Sequence, residues 1–227
     1  MKKSNIILLI TIASVFSCLS IINFTLRAEY KKGNIKSVQK KIILPPFQHI
    51  QELKNAKKGE TAFHPIIHIY QGGDTNQLTY YYYNPVGYEY FVKNDTLFIR
   101  ADDSIENSFP MINIYCKNLV SISSNESEIS LHHFISDSLE LNSSQNSSIT
   151  CLALTCNFLN ISAKNKSAIT ISAKDTIQKV AMNLKNKAKL TLADAYFRTY
   201  TLTLDSTAIL STTGNSFKGI NAYNSKK

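Results

Sequence analysis

Hydrophobic and polar positions divide the chain into three regimes. From Ser4 to Leu26 no residue is charged, and Ile6–Phe24 is an apolar stretch of 19 residues preceded by Lys2 and Lys3. That length is at the lower end of what spans a hydrocarbon core of about 30 Å. A cleaved signal has an apolar region of about 7–15 residues and then a small-x-small site. Here the run continues past Ser17 through Ile21, Ile22 and Phe24, and no Ala-x-Ala follows. Residues 1–27 are therefore expected to be an uncleaved membrane anchor, with a cleaved signal as the second reading. A lipoprotein built on Val15-Phe16-Ser17-Cys18 ranks third, because bulky Phe16 stands where such boxes favour small residues.

From residue 120 onward the pattern becomes a repeat. Leu139-Glu-Leu141, a polar stretch and Ile149-Thr-Cys151 are followed by Leu159-Asn-Ile161 with Ile169-Thr-Ile171. Val180–Leu184 with Leu190-Thr-Leu192, and Tyr200–Leu204 with Leu210-Ser-Thr212, continue the figure. Val120-Ser-Ile122 with Ile129-Ser-Leu131 is an earlier copy. Starting points at 120, 139, 159, 180 and 200 give a period of about twenty residues. Alternation at every second position marks strands with one buried face. The intervening turns are rich in Asn, Ser and Lys, which bend the chain by local hydrogen bonding. A leucine-rich repeat would need a helix-capable arc, and only Ala173–Met182 offers a trace of one. An up-and-down antiparallel sheet would need the regularity to be accidental. The expected fold is all-β, a parallel β-helix with a thin aliphatic interior over residues 117–214. Ser147, Ser167, Ala188 and Thr207 or Ala208 recur at one turn position, where small residues let coils approach closely.

Between these regimes lie a basic stalk, residues 28–44, and a Tyr-rich segment, residues 45–116. The latter offers strand candidates Ile66–Tyr70 and Gln77–Tyr83, and a hairpin of Tyr88–Val92 with Thr96–Ile99 around Asn94-Asp95. A solenoid end exposes core and strand edges, so residues 45–116 are expected to form a distinct N-terminal cap. Residues 215–227 are a polar tail.

Charge changes the picture in one respect. The net charge is +9, but residues 1–27 hold +3, residues 28–61 hold +5, and residues 62–227 only +1. A nucleic-acid binder carries its charge on the folded domain, so no nucleic-acid partner is expected. The basic stretch is placed to meet anionic lipid headgroups. It also bears on orientation: six basic residues follow the span (Arg27, Lys31, Lys32, Lys36, Lys40 and Lys41), and the positive-inside rule would keep the body cytoplasmic. A Lys-Lys start before an apolar run is, by contrast, how bacterial export signals begin.

Ile67-His-Ile69-Tyr-Gln71-Gly72-Gly73-Asp74, then Tyr88–Thr96 leading into Leu97-Phe-Ile99, and the stacked Leu-x-Leu and Ile-x-Ile coils resemble the head GIN domain of putative auto-transporter adhesins. The resemblance covers roughly residues 45–215. It implies a bacterial cell-envelope protein with a right-handed β-helix behind an export signal or single anchor, and it brings no catalytic residues.

Candidate chemistry is sparse. There is no nucleophile elbow, phosphate loop, dinucleotide fingerprint or His-Glu-x-x-His. His64 and His68 lack a helix to share, and His132-His133 would point opposite ways in a strand, so no metal ligands and no cofactor are expected. Cys116, Cys151 and Cys156 leave an odd number in the body and are expected to be buried free thiols, with Cys151 facing inward. The acidic pairs Asp102-Asp103 and Glu126-x-Glu128 fall in bends and give no catalytic constellation.

Two surface-contact candidates remain. Tyr81, Tyr83 and Tyr88 could form an aromatic platform for sugar or peptide, against the plainer role of cap packing. Lys164, Lys166, Lys185 and Lys187, with Lys189, stack over consecutive turns as a basic ridge for an acidic glycan or phosphate-bearing surface. Lysine at strand edges also guards against aggregation. The expected function is a non-catalytic binding or scaffolding module, tethered at the inner membrane with a periplasmic head or exposed at the cell surface. The competing readings are a cytoplasmic, membrane-tethered scaffold that polymerises through its coil ends like a bactofilin, and an enzyme acting on acidic polysaccharide.

Overall fold

The structure, a computed structural model, describes residues 3–31, 39–53, 65–81, 88–101, 111–214 and 216. It divides into two units, Met1–Val38 and Gln39–Lys227.

The first unit is helix α1 (Lys3–Lys31). Its stretch Ile10–Glu29 has a mean hydropathy of 1.5 and is long and apolar enough to cross a membrane. The polar side chains inside it satisfy themselves. Ser14, Ser17 and Thr25 donate their hydroxyls to the carbonyls of Thr11, Ala13 and Ile21 at 2.8–2.9 Å. Such bonds let a hydroxyl sit in hydrocarbon without an unpaired donor.

The second unit opens with β1 (Gln39–Ile43), β2 (His49–Glu52), β3 (Ile66–Gln71), β4 (Gln77–Tyr81), β5 (Tyr88–Lys93), β6 (Thr96–Ala101) and β7 (Met111–Cys116). Then come β8 (Ser121–Ser124), β9 (Glu128–His132), β10 (Ile135–Ser143), β11 (Ser148–Ala163) and β12 (Ala168–Ala173). It closes with β13 (Ile177–Leu184), β14 (Lys189–Ala193), β15 (Phe197–Leu204) and β16 (Ile209–Thr213). The strands form a β-solenoid with two faces. On the first face the order is β1-β4-β7-β3-β9-β11-β12-β14-β16; on the second it is β5-β6-β2-β8-β10-β11-β13-β15. Strand β11 serves both, turning the corner at a register shift between Cys151 and Leu154 where Ala153 has a φ of 54°.

Parallel pairing is in register, so each inward position becomes a ladder. Ile112, Ile67, Ile129, Ile149, Ile169, Leu190 and Leu210 form one on the first face. Leu97, Ile50, Ile122, Leu141, Ile161, Met182 and Leu202 form its counterpart on the second. The first six of each are buried. Cys151 lies in a neighbouring ladder between Leu131 and Ile171, fully buried, as an inward repeat position demands.

The corners explain how a solenoid manages with seven glycines. Gln145-Asn146, Asn165-Lys166 and Asn186-Lys187 all have φ between 54° and 63°. Asn reaches this left-handed region more readily than other L-residues because its short amide bonds locally. Ser147 and Ser167 are buried behind these corners and accept the backbone N–H of Ser144 and Lys164 at 3.0 and 3.1 Å. Ala188 replaces them in the next coil.

The segment 45–116 is not a separate cap throughout. Strands β2 and β6 pair parallel and in register with each other, and β2 also with β8; β3 pairs in the same way with β7 and β9. Two coils of the stack therefore come from this segment. The connections between the two runs of each coil lengthen here, which erases the twenty-residue spacing from the sequence. Among the described residues, antiparallel pairing is confined to β1 with β4, β4 with β7 and β5 with β6, at the outer edges of the two faces. Coil order also departs from chain order: β2–β3 lies between β6–β7 and β8–β9. The expected β5–β6 hairpin forms, with Asn94 and Asp95 at positive φ as a two-residue I′ turn requires.

Candidate functional site

In-register stacking repeats outward positions as well. On the second face, one row runs Phe98, Gln51, Ser123, Asn142, Ser162, Asn183 and Thr203 across seven adjacent strands. Four members of this row, Gln51, Ser123, Asn142 and Ser162, line a groove of about 300 Å³. The opposite wall is built by the corner residues Asn125, Ser144 and Lys164.

That wall is fixed from within. Glu52 is 8% exposed, and its Oε2 accepts hydrogen bonds from the Ser124 hydroxyl and the backbone N–H groups of Asn125, Glu126 and Ser127, at 2.6–3.1 Å. A buried carboxylate needs such compensation, and here it replaces the left-handed corner of later coils. Ser144 then donates to Asn125 Oδ1 at 2.8 Å, joining the first two corners.

At one end of the polar row sits an aromatic pair. Phe91 on β5 stacks on Phe98 with centroids 4.9 Å apart and rings 20° from parallel, and Phe91 is 48% exposed. Arg100 and Glu89, two positions along on the same outward side, form an ion pair.

Along one side of the row, the corners that follow Ser162 and Asn183 carry the lysines. Lys164, Lys166, Lys185 and Lys187 are all exposed. The backbone N–H of Lys185 donates to Ala163 and that of Lys166 to Asn186, so the two lysine pairs belong to consecutive coils. Among the described residues none of the four makes an ion pair. Lys166 and Lys187 each have a φ of 63°. Asp205 stands at the matching corner of the last coil, its carboxyl held below the usual range by the N–H groups of Asn186 and Thr207.

The tyrosine candidates divide differently. Tyr83 lies outside the described residues, and for Tyr81 only the backbone, at the end of β4, is described. Tyr88 packs against the core, where burial and then the charge of Glu52 push its phenol above the ordinary value. The first face carries an aromatic stack that sequence spacing did not reveal. Tyr70 stacks on Tyr115 (5.2 Å, 20°) and on His132 (4.7 Å, 12°), and His68 Nδ1 lies 3.1 Å from His132 Nε2. These histidines are 64 residues apart, and only the β3–β9 pairing joins them. Burial first, then the charges of His68 and His133, lowers the pKa of His132 from 6.5.

The thiols are withdrawn from chemistry. Cys116, Cys151 and Cys156 are free and buried. Burial pushes Cys116 up to about 12; burial and the Asp137 charge push Cys156 to about 12 as well. Thiolate is the reactive form. Among the described residues no group of three or more His, Cys, Asp or Glu side chains converges on a metal position.

Comparison with known proteins adds the following. The profile of one family, described as "Putative auto-transporter adhesin, head GIN domain", matches residues 87–218. Among solved structures, a putative adhesin from Bacteroides fragilis is 14% identical, covering 78% of this chain and 96% of that one with a TM-score of 0.35. A putative lipid binding protein from Parabacteroides distasonis is 12% identical, covering 78% and 94%, with a TM-score of 0.35. A putative cell adhesion protein from Clostridium sporogenes is 11% identical, covering 77% and 92%, with a TM-score of 0.25. No curated protein matches.

Proposed function

The chain belongs to the family of putative auto-transporter adhesin head GIN domains, and from that premise we propose that it is a non-catalytic recognition module of the bacterial cell envelope. In this reading α1 stays in the membrane as an anchor, and the solenoid works outside the cytoplasm. The observation that carries the reading is the repeated outward row on the second face. Register turns single side chains into a long, rigid strip of amides and hydroxyls bounded by aromatic rings and lysines. A strip of that kind suits an extended partner. Enzymatic acid–base work needs titratable groups converging on one reacting atom. The carboxylate at this groove, Glu52, is instead consumed by four donors of its own chain.

Two measurements test this. A reporter that works only outside the cytoplasm, fused after Lys227, is expected to be active, and cytoplasmic activity would overturn the placement. Cells producing the full chain are expected to gain adherence to host-cell or biofilm-matrix surfaces over cells producing residues 1–38 alone. Equal adherence would overturn the recognition role.

A further inference from the structure

We propose that the groove on the second face is a binding site for an acidic glycan, with sugar rings along Gln51, Ser123, Asn142 and Ser162 and anionic groups at the lysine corners. The inference rests on the recognition reading above and gives it a ligand class and a site.

Three independent features support it. First, the groove offers groups matched to sugar hydroxyls. Carboxamides and hydroxyls each donate and accept, and they repeat every strand, about 4.8 Å apart. That spacing is close to the rise of one pyranose ring along an extended chain. A glycan lying across the strands would therefore meet similar groups at each ring.

Second, one end of the row is an apolar platform. Phe98 is the register partner of Gln51, and exposed Phe91 stacks beside it. A pyranose presents an apolar face of C–H groups, and an exposed aromatic surface is the usual place for that face to rest. Two protein rings stacked on each other do not use the outer face of Phe91.

Third, one side of the row carries lysines that form no ion pair among the described residues. Lys164 lines the groove itself, and Lys166, Lys185 and Lys187 extend it along the corner. Asp205 stands beside Lys185 and Lys187, accepting the Asn186 N–H between them, whereas no described carboxylate stands at the Lys164 and Lys166 corner. Lys166 and Lys187 also occupy the left-handed position that Asn146 fills with less strain in the preceding coil. A purely structural corner would be better served by Asn. From β6, which carries Phe98, to β11, which leads into Lys164, there are four strand spacings, about 19 Å. The site is thus long enough for several rings.

The carboxylates nearby set the selectivity. Glu52 is buried and paired, whereas Glu140 is exposed on β10 and holds the Asn142 amide by accepting from Nδ2 at 3.0 Å. That leaves the Asn142 carbonyl oxygen to accept from a sugar hydroxyl. It also places negative charge on the side of the row away from the lysines, so the ligand's anionic groups are directed toward the corner.

The test uses the full chain in detergent micelles or nanodiscs, titrated with hexasaccharides derived from polygalacturonate, hyaluronan and heparin. Neutral cellohexaose and tripolyphosphate serve as comparison probes. At least one acidic hexasaccharide is expected to bind saturably, more tightly than either comparison probe. Lys164→Gln with Lys185→Gln should weaken it about tenfold, and Asn142→Ala with Gln51→Ala about as much. Phe91→Ala should weaken binding without altering its salt dependence, since stacking carries no charge. Lys187→Asn should raise the thermal midpoint while weakening binding, a combination that a structural role would not give.

Failure of every acidic hexasaccharide to bind would overturn the proposal. So would tripolyphosphate binding as tightly as the saccharide, which would reduce the site to bare charge, or full affinity in the groove and lysine variants when circular dichroism shows them folded. Continued adherence of cells in any of these cases would leave the recognition role standing and place its contact elsewhere.

Discussion

Ser147 is small, polar and fully inside the molecule, and its hydroxyl closes three contacts at once. It lies 2.8 Å from the Ser143 hydroxyl, accepts from the backbone N–H of Ser144, and reaches the carbonyl of Ser124 in the preceding coil. Ser147→Ala keeps the space filled but removes these hydrogen bonds; the Ser144 N–H keeps the Ser124 carbonyl at 3.0 Å, so the cost is about 1 kcal/mol. Chemical denaturation should show the loss, whereas Ser206→Ala, at an exposed corner, should leave stability unchanged. His132 gives the residue-scale pH response. Its proton is disfavoured in the fold, so the unfolded chain binds it more readily. Stability from this group is present above about pH 6.5 and is lost as pH falls through the lowered folded value. Melting midpoints should therefore drop from pH 7 to pH 5, and His132→Gln should flatten that slope. The small residues behind the corners were legible from their spacing in the sequence. The His68–His132 pair was not, because no local pattern encodes a neighbour 64 residues away.

At the scale of elements, the alternating runs from residue 120 onward read directly as strands, because one buried face leaves a period of two. Ala173–Met182, the one stretch with a trace of helical spacing, is a bend leading into β13, where register with β11 overrides propensity. The segment 45–116 was harder. Its strands β2, β3, β6 and β7 have the same inward alternation, but long connections separate them and hide their kinship with the later coils. The groove suffered the same fate, since Gln51 and Ser162 meet only through register. Register also fixes what a core truncation costs. Ile171 is packed between Cys151 and Leu192 in one ladder and cannot relax along it. Ile171→Ala should cost about 2–5 kcal/mol, and Ile171→Val about 1 kcal/mol, measured by the same denaturation curves.

For the whole molecule, charge placement was the most informative sequence property. Eight of the nine excess positive charges precede residue 62, so residues 62–227 are close to neutral and their lysine corner is a local concentration on that background. Gly72 shows how tightly the two-faced stack closes on itself. A Cβ there would meet the Tyr115 side chain at 3.0 Å, and its N–H donates to Cys116 across the coil boundary. The order of coils was invisible beforehand, because any in-register arrangement buries the same ladders.

That order has a mechanical consequence. Load applied through the amino-terminal segment enters the solenoid at β1 and then β2. The last coils can be peeled singly, since β15 and β16 each pair with one neighbour. Strand β2 is wedged between β6 and β8, and β3 between β7 and β9. Tension from the amino-terminal side must rupture two ladders together, whereas tension from the carboxyl end ruptures one at a time. Single-molecule pulling from residue 39 should therefore first release edge strand β1, which pairs only with β4, and then give one high-force event at β2 and β3, whereas pulling from residue 214 should give a staircase of lower ones.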